Sequence, residues 1–256
     1  MAEYDRQTLG ARAGSALAID EGLRSYMLRV YNYMGVGLVV TGLAAWFAAA
    51  AAITTDPNAA VGQLANGQLV TQWGALLYAS PLQWVVMLAP LAFVLVLSFG
   101  INKLSVGAAQ GVFWAFAAVM GLSLSSIFLV YTGASIAKVF FITAATFGAM
   151  SLYGYTTKRD LTSIGNFLIM GLIGLIIASI VNIFMASSML DFAISVLGVL
   201  IFTGLTAYDT QKIKESYSEH YGADVMAKNA IMGALSLYLD FINLFLMLLR
   251  LFGNRE

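Results

Sequence analysis

Seven long apolar runs, almost free of charged residues, constrain the fold of this chain more than any other feature. They lie near residues 31–53, 84–102, 108–130, 137–155, 166–187, 190–210 and 231–250. A run of about 18 to 22 apolar residues is long enough to cross a ~30 Å hydrocarbon layer as a helix. Because the apolar character is continuous and does not alternate, the runs favour helices over the strands of a membrane barrel. The sequence therefore predicts an all-α integral membrane protein with seven transmembrane helices.

The same pattern divides the chain into two parts. Residues 1–30 mix acidic and basic side chains and are predicted to form a polar cytoplasmic N-terminal tail. Residues 31–256 are predicted to form the seven-helix transmembrane domain. The boundary between the fifth and sixth runs is the weakest, because only Ser187, Ser188 and Asp191 interrupt the apolar sequence there. A tight hairpin and one long segment both fit this stretch.

Composition excludes several kinds of function. Charged residues make up 10% of the chain, well below the roughly 25% of a soluble domain. Thirteen basic and thirteen acidic residues cancel, so no overall field attracts nucleic acid, and we expect no nucleic-acid partner. The chain has no cysteine and one histidine, which excludes thiolate sites and histidine metal sites. We expect no cofactor.

The distribution of lysine and arginine predicts the orientation in the membrane. Positive residues concentrate in cytoplasmic loops. With the N-terminus in the cytoplasm, ten of the thirteen basic residues lie on that side: Arg6, Arg12, Arg24, Arg29, Lys103, Lys158, Arg159, Lys212, Lys214 and Lys228. The longest loop on the other side, residues 54–83, contains no basic residue. The sequence thus predicts a cytoplasmic N-terminus and an external C-terminus.

Small residues recur at the four-residue spacing by which membrane helices approach one another closely. The pairs are Gly37 with Thr41, Ala117 with Gly121, and Gly174 with Ala178. We interpret these pairs as packing positions between helices.

Asp240 is the most informative single residue, because it lies about nine residues into the last run, or ~13 Å deep as helix. A carboxylate at that depth costs on the order of 2.5–3.5 kcal/mol, so such residues usually face the bundle interior and mark an ion or proton path. The alternative is a hydrogen-bonded Asp240 that only pins two helices. Ser236 and Asn243, one turn away on either side, would then supply supporting polar contacts.

Asp209 lies at the cytoplasmic end of the sixth run, where Lys212 can simply pair with it. Because the sixth and seventh runs are consecutive and antiparallel, Asp209 and Asp240 can also approach each other. Two carboxyl groups in a low-dielectric site would titrate as a unit near neutral pH. Carboxylate oxygens are also the ligands that calcium prefers, although it needs six to eight oxygens. We therefore predict that Asp209 and Asp240 form a pH-sensing site that binds a metal cation.

An intramembrane aspartyl protease would also place two aspartates on neighbouring helices. That class has Gly-x-Gly-Asp at the second aspartate and a later proline-containing motif, whereas this chain has Leu237-Tyr238-Leu239-Asp240 and its prolines are Pro57, Pro81 and Pro90. We expect no enzymatic activity and no catalytic residue.

Four ordered motifs show a specific resemblance. They are Gly121–Thr132 (GLSLSSIFLVYT), Phe147–Leu161 (FGAMSLYGYTTKRDL), Ala207–Gln211 (AYDTQ) and Ala234–Phe245 (ALSLYLDFINLF). With these motifs the chain resembles the Bax inhibitor-1 family, also called the transmembrane Bax inhibitor motif family, from its first run to the C-terminus. The resemblance implies a seven-helix fold with a central last helix and a pH-sensitive calcium leak. The family's proton-sensing aspartate latch on helices six and seven corresponds to Asp209 and Asp240.

One departure from the family pattern concerns the partner of that latch. The family places an arginine on helix two, whereas this chain has no arginine between Arg29 and Arg159. Lys103, at the inner end of the second run, is the nearest basic candidate, although it lacks the bidentate fork of arginine.

Two functional hypotheses follow. The leading hypothesis is a passive cation leak in a bacterial inner (plasma) membrane, with calcium as the transported ion and protons controlling the aspartate pair. The second is a non-conducting regulatory protein that binds other membrane proteins, such as a membrane-anchored protease. In that case the tail of residues 1–30 is the expected docking segment.

Overall fold

The structure is a computed structural model that describes residues 2–63 and 67–254, with side chains from Glu21 onward. In these residues nine helices and three short strands follow in chain order: α1 (Ala2–Ala52), β1 (Ile53–Thr54), β2 (Gly62–Gln63), β3 (Leu69–Val70), α2 (Gln72–Ala79), α3 (Leu82–Gly100), α4 (Val106–Leu124), α5 (Ile127–Val130), α6 (Gly133–Thr156), α7 (Thr162–Met185), α8 (Ser188–Glu215) and α9 (Ala223–Phe252).

In the part of the chain that the structure describes, seven stretches of helix are long and apolar enough to cross a membrane. They are Glu21–Ala52, Leu82–Gly100, Val106–Val130, Gly133–Thr156, Thr162–Met185, Ser188–Glu215 and Ala223–Phe252. Each contains most or all of one apolar run, so the prediction of an all-α, seven-helix membrane protein is confirmed. The chain is a multi-pass membrane protein.

The first membrane helix begins earlier than the apolar run indicates. Tyr26, Met27 and Val30 belong to the stretch assigned to the polar tail, yet they are buried in the core of the bundle. Arg24 and Arg29 occupy the exposed side of the same helical turns, which hides this apolar face from a search for uncharged runs. The side chains of residues 1–20, the rest of the predicted tail, lie outside the described part of the structure.

Helix α9 lies at the centre of the bundle, as the family resemblance implies. In its apolar window 72% of the residues are buried, compared with 6% in α7 at the periphery. Tyr238 of α9 is fully buried against Phe113 and Phe116 of α4, with ring centroids 6.4 Å and 5.1 Å away. This aromatic cluster joins α9 to the α1–α4 side of the bundle.

A tight hairpin joins α7 to α8, which settles the two alternatives left open by the sequence. Ala186 ends α7 in the left-handed conformation, with φ 48°. Ser187 then caps α8, because its hydroxyl accepts a hydrogen bond from the Leu190 amide. The Asn182 side chain accepts a further hydrogen bond from the Ser187 amide at 3.1 Å. Local polar groups thus stop one helix and start the next within two residues.

Close packing between α1 and α4 uses two of the three predicted small-residue pairs. The Thr41 hydroxyl lies 2.8 Å from the carbonyl oxygen of Ala117. A Cβ atom on Gly121 would come within 2.5 Å of the Thr41 carbonyl oxygen, so only glycine fits there. The prediction is wrong for Gly174, partner of Ala178, because a Cβ atom there would meet nothing within 4 Å.

Helix α3 contains Pro90, which has no N–H to donate to the carbonyl of Val86 one turn earlier. The hydroxyl of Ser123, on α4, donates a hydrogen bond to that carbonyl. A membrane helix tolerates proline when a neighbouring side chain satisfies the freed carbonyl in this way. The break in α3 is therefore also a point of attachment to α4.

The loop after α1 carries a small antiparallel sheet, with strand order β1-β3-β2, and then the short helix α2. The Thr71 hydroxyl caps α2 by accepting a hydrogen bond from the Gly74 amide. A Cβ atom on Gly74 would lie 2.3 Å from the carbonyl oxygen of Ala52, which brings α2 directly against the end of α1. The sequence predicts none of these strands, because two-residue strands carry no periodic pattern.

Candidate functional site

Asp240 lies in the middle of the central helix α9 and is 5% exposed. Among the side chains that the structure describes, Asp240 is the only buried one that can carry a charge near neutral pH. Its Oδ2 atom has no hydrogen-bond partner among the described residues. A buried polar atom without a partner is expensive in a protein interior, so this oxygen is a candidate ligand or proton acceptor.

Asp209 lies on α8, is half-buried, and faces Asp240. The two carboxyl groups lie close enough for each to act on the charge of the other. The structure thus brings together the two aspartates that the sequence singles out, although they lie on different helices. Their pH-sensing and ion-binding roles stay predictions.

Close helix contacts hold Asp209 in place. A Cβ atom on Gly154 of α6 would lie 2.2 Å from the carbonyl oxygen of Ala207, so α6 and α8 touch backbone to backbone. On another side of α8, the ring of Tyr208 covers Gly165 of α7, where a Cβ atom would come within 2.3 Å of the ring. These contacts fix the turn of α8 that carries Asp209.

The residue after Asp209 belongs to a chain of hydroxyl groups that links three helices. Thr210 on α8 lies 3.0 Å from the hydroxyl of Ser151 on α6. Ser151 in turn lies 2.6 Å from the hydroxyl of Tyr31 on α1. Both Thr210 and Ser151 are buried, so this chain of hydroxyl groups ties α8 and α6 to the half-buried Tyr31 of α1, beside the turn that carries Asp209.

Gln211 closes the α6–α7 loop over the same end of α8. Its Oε1 accepts a hydrogen bond from the Leu161 amide at 2.8 Å, and its Nε2 donates to the Arg159 carbonyl at 2.9 Å. No pattern in the sequence predicts roles for Thr210, Gln211, Ser151 or Tyr31. The signal for the first two is their position directly after Asp209 in the motif Ala207–Gln211 (AYDTQ).

Two lysines bear on the aspartate pair: Lys212, whose charge acts on Asp209, and Lys103, the predicted latch partner. Lys212, one turn along α8, is the cation whose charge acts on Asp209, and its Nζ also lies 5.9 Å from the centre of the Tyr208 ring. Lys103 lies exposed in the turn between α3 and α4. Its role as a latch partner stays a prediction.

The two predicted supporting residues both lie on α9. The Asn243 amide donates a hydrogen bond to the Leu239 carbonyl of its own helix at 2.8 Å. Ser236, one turn before Asp240, is partly buried. Asn243 therefore satisfies its amide within α9, and Asp209 is the ionisable group whose charge acts on Asp240.

This arrangement has two chemical capacities. With one proton between them, two facing carboxyl groups form a hydrogen bond that ties α8 to α9, whereas two ionised groups repel each other. Ionised oxygens are also hard ligands for a cation. Among the described residues no cluster of three or more histidine, aspartate or glutamate side chains forms, so a calcium ion here would need carbonyl, hydroxyl or water oxygens as well.

The fold and the site define a class of protein: a seven-helix membrane protein with an acidic pair at its central helix. The profile of the family described as "Inhibitor of apoptosis-promoting Bax1" matches residues 23–256. The chain belongs to this family, the Bax inhibitor-1 family, which confirms the resemblance of its motifs.

Bacterial relatives match over almost the whole chain. The inner membrane protein YbhL of Escherichia coli (strain K12) is 49% identical over 247 residues, which cover 96% of this chain and 98% of YbhL. The uncharacterized protein RP147 of Rickettsia prowazekii (strain Madrid E) is 50% identical over 237 residues, covering 93% of this chain and 92% of that protein. An uncharacterized protein of Caulobacter vibrioides is 49% identical over 242 residues, or 94% and 93% of the two chains.

Proposed function

We propose that this protein is a passive cation leak, with calcium as the preferred ion, whose conductance depends on protonation of the Asp209–Asp240 pair. The observation that carries the proposal is the position of Asp240. It is buried in the central helix close to Asp209, and its Oδ2 atom has no hydrogen-bond partner among the described residues. A carboxylate held at such a cost inside a membrane protein usually serves ion or proton movement.

Protonation is the proposed switch. The hydrogen bond of a singly protonated pair holds α8 against α9, and a change in the number of bound protons replaces it with repulsion or with neutral groups. The same change adds or removes the negative charge that attracts a cation. Because α8 and α9 are in extensive contact, a change between them alters the centre of the bundle.

The moving element in this proposal is α3 against α8 and α9. Pro90 interrupts the hydrogen bonding of α3, and proline is a common origin of helix bending. Lys103 follows the cytoplasmic end of α3 in the predicted orientation and is exposed, so it is the proposed cationic partner of the latch. As a point charge it would bind the pair less specifically than an arginine.

The membrane and orientation belong to the same proposal. The name of the E. coli relative, inner membrane protein YbhL, supports a bacterial inner membrane. The concentration of ten basic residues on one side supports an N-terminus in the cytoplasm. Asp209 would then lie near the cytoplasmic end of α8, and Asp240 would lie near the middle of α9.

The test is calcium flux into dye-loaded proteoliposomes across pH 6 to 8. The wild type is compared with Asp209→Asn and Asp240→Asn, each of which fixes one carboxyl group in a neutral form. We expect a pH-dependent flux in the wild type and loss of that pH dependence in both variants. The matched control is Asp191→Asn, which removes an aspartate of α8 that is about half-exposed and lies 3.8 Å from Arg250.

Two outcomes contradict the proposal. If flux keeps its pH dependence in both variants, the pair is not the switch. If the wild type shows no flux above empty liposomes, the cation leak itself is wrong. The alternative, a non-conducting regulator that binds other membrane proteins, would then be the better interpretation.

A further inference from the structure

A surface cavity lined by residues of α1 and α4 does not include either aspartate of the pair. Its volume is about 640 Å³. The residues that matter for its chemistry are Arg24, Arg29, Asn32, Tyr33, Val36 and Trp114. Ligand sites for small molecules commonly have volumes of about 300–1,000 Å³, so this cavity is large enough for part of a lipid.

The charge in this cavity is positive. Arg24 and Arg29 both line it, and neither has an ion-pair partner among the residues with described side chains. Glu21 lines the same cavity and partly offsets this charge. Among the described lining residues, two exposed guanidinium groups against one carboxylate leave a net attraction for an anion, and guanidinium is the side chain best matched to a phosphate group.

One wall of the cavity is aromatic and held in place. The Tyr33 hydroxyl accepts a hydrogen bond from the Gln110 amide, which ties α1 to α4 at this point. The Tyr33 and Trp114 rings have centroids 5.8 Å apart, and Phe113 packs behind Trp114 at 5.1 Å. Tyrosine and tryptophan side chains favour the boundary between the headgroups and the hydrocarbon of a membrane.

The lining changes from polar to apolar along α1. Arg24 and Arg29 lie just before the uninterrupted apolar run of α1, and Asn32 follows Arg29 by about one turn. Val36 lies a further turn into the apolar part of the helix, and Trp114 of α4 also lines the cavity. The basic lining residues therefore precede the apolar ones along α1, the order expected where a helix enters the hydrocarbon layer.

We propose that this cavity binds one anionic phospholipid. Its phosphate lies against the guanidinium groups of Arg24 and Arg29, with the Asn32 amide as a further donor. One acyl chain follows Val36 and Trp114 along the α1–α4 contact. A soluble anion would use the basic end but would leave the apolar end unused, which is why the observations favour a lipid. This site is separate from Asp209 and Asp240, and the proposal does not depend on the cation leak.

The test measures binding of defined lipids to the purified full chain by native mass spectrometry in detergent. Phosphatidylglycerol is the anionic probe and phosphatidylcholine the zwitterionic one. We expect phosphatidylglycerol to bind at least about tenfold more tightly, and Arg29→Gln to remove about that factor, as loss of one charge-assisted contact should. Arg29 is the decisive position, because Arg24 also lines a neighbouring cavity between α1 and α6.

The matched control is Lys158→Gln, which removes one exposed positive charge in the α6–α7 loop, outside the cavity. It should leave phosphatidylglycerol binding unchanged. A loss as large as that of Arg29→Gln would show that only general surface charge attracts the lipid and would overturn the proposal. Equal binding of the two lipids would overturn it as well. Displacement of the lipid by inorganic phosphate at millimolar concentration would identify a site for a soluble anion instead.

Discussion

Gly154 illustrates how a single residue sets the distance between two helices near the aspartate pair. A Cβ atom at this position would lie 2.2 Å from the carbonyl oxygen of Ala207, and a backbone group cannot move aside as a flexible side chain can. We expect Gly154→Ala to push α6 away from α8 and to destabilise the protein by ~1–3 kcal/mol. Thermal unfolding in detergent measures this change.

The control for this prediction lies on the same helix. Gly148 of α6 is exposed, and a Cβ atom there would meet nothing within 4 Å. Gly148→Ala should leave the melting temperature unchanged or raise it slightly, because alanine is the better helix former. Equal destabilisation by the two substitutions would show that close contact with α8 is not the cause.

At the scale of single residues, the sequence predicts the two aspartates of the site but not the hydroxyl-bearing residues packed near them. Asp209 and Asp240 are conspicuous because a carboxylate is costly in an apolar run. Ser151 and Tyr31 are not conspicuous, since serine and tyrosine are common in membrane helices and their partners are remote. Ser151 meets Thr210 across 59 positions of the chain and Tyr31 across 120. Such contacts depend on how helices pack, which a single sequence does not encode locally.

At the scale of one element, α3 depends on a residue of its neighbour. Pro90 leaves the Val86 carbonyl without its helical donor, and the Ser123 hydroxyl of α4 replaces that donor. We expect Ser123→Ala to cost about 1 kcal/mol, since it leaves a carbonyl unsatisfied. Ser179→Ala is the control, because the Ser179 hydroxyl donates only to Leu175 of its own helix α7. A melting temperature unaffected by Ser123→Ala would contradict this role.

The α7–α8 hairpin contains the one non-glycine residue with a positive φ in the described part of the chain, Ala186. An L-residue in the left-handed region carries a strain of roughly 1–2 kcal/mol that glycine avoids. Ala186→Gly should therefore raise the stability by up to ~1 kcal/mol, because the greater freedom of glycine in the unfolded chain offsets part of the gain. A lower melting temperature of this variant would mean that the hairpin differs from the one described here.

Element boundaries show where sequence patterns stop being informative. The length of the apolar runs locates all seven membrane helices, because a helix needs a minimum number of apolar residues to cross the bilayer. It places the start of the first helix too late, since Arg24 and Arg29 interrupt the run while Tyr26 and Val30 already face the core. Apolar length does not distinguish the hairpin at Ala186 from one long helix, because the signals of the hairpin, a serine cap and a left-handed residue, are short and local.

For the whole molecule, the predicted orientation can be tested directly because the chain has no cysteine. Single cysteines introduced by Asn58→Cys and by Glu219→Cys lie in exposed loops on opposite sides of the seven-helix bundle. With a cytoplasmic N-terminus, a membrane-impermeant maleimide should label position 58 in intact cells and position 219 only after lysis. The reverse labelling pattern would invert the topology and the side from which protons reach the aspartate pair.

The central place of α9 has a consequence for how the protein is made. Helix α9 follows the other six membrane spans in the chain, so those spans leave the ribosome first. They enter the bilayer before the helix around which they pack exists, and their inner faces must meet lipid or one another in the meantime. Asp209 on α8 is likewise synthesised before Asp240 on α9, so it enters the membrane without its partner. Biogenesis of this protein therefore passes through a partially inserted intermediate whose core is completed only by the last span.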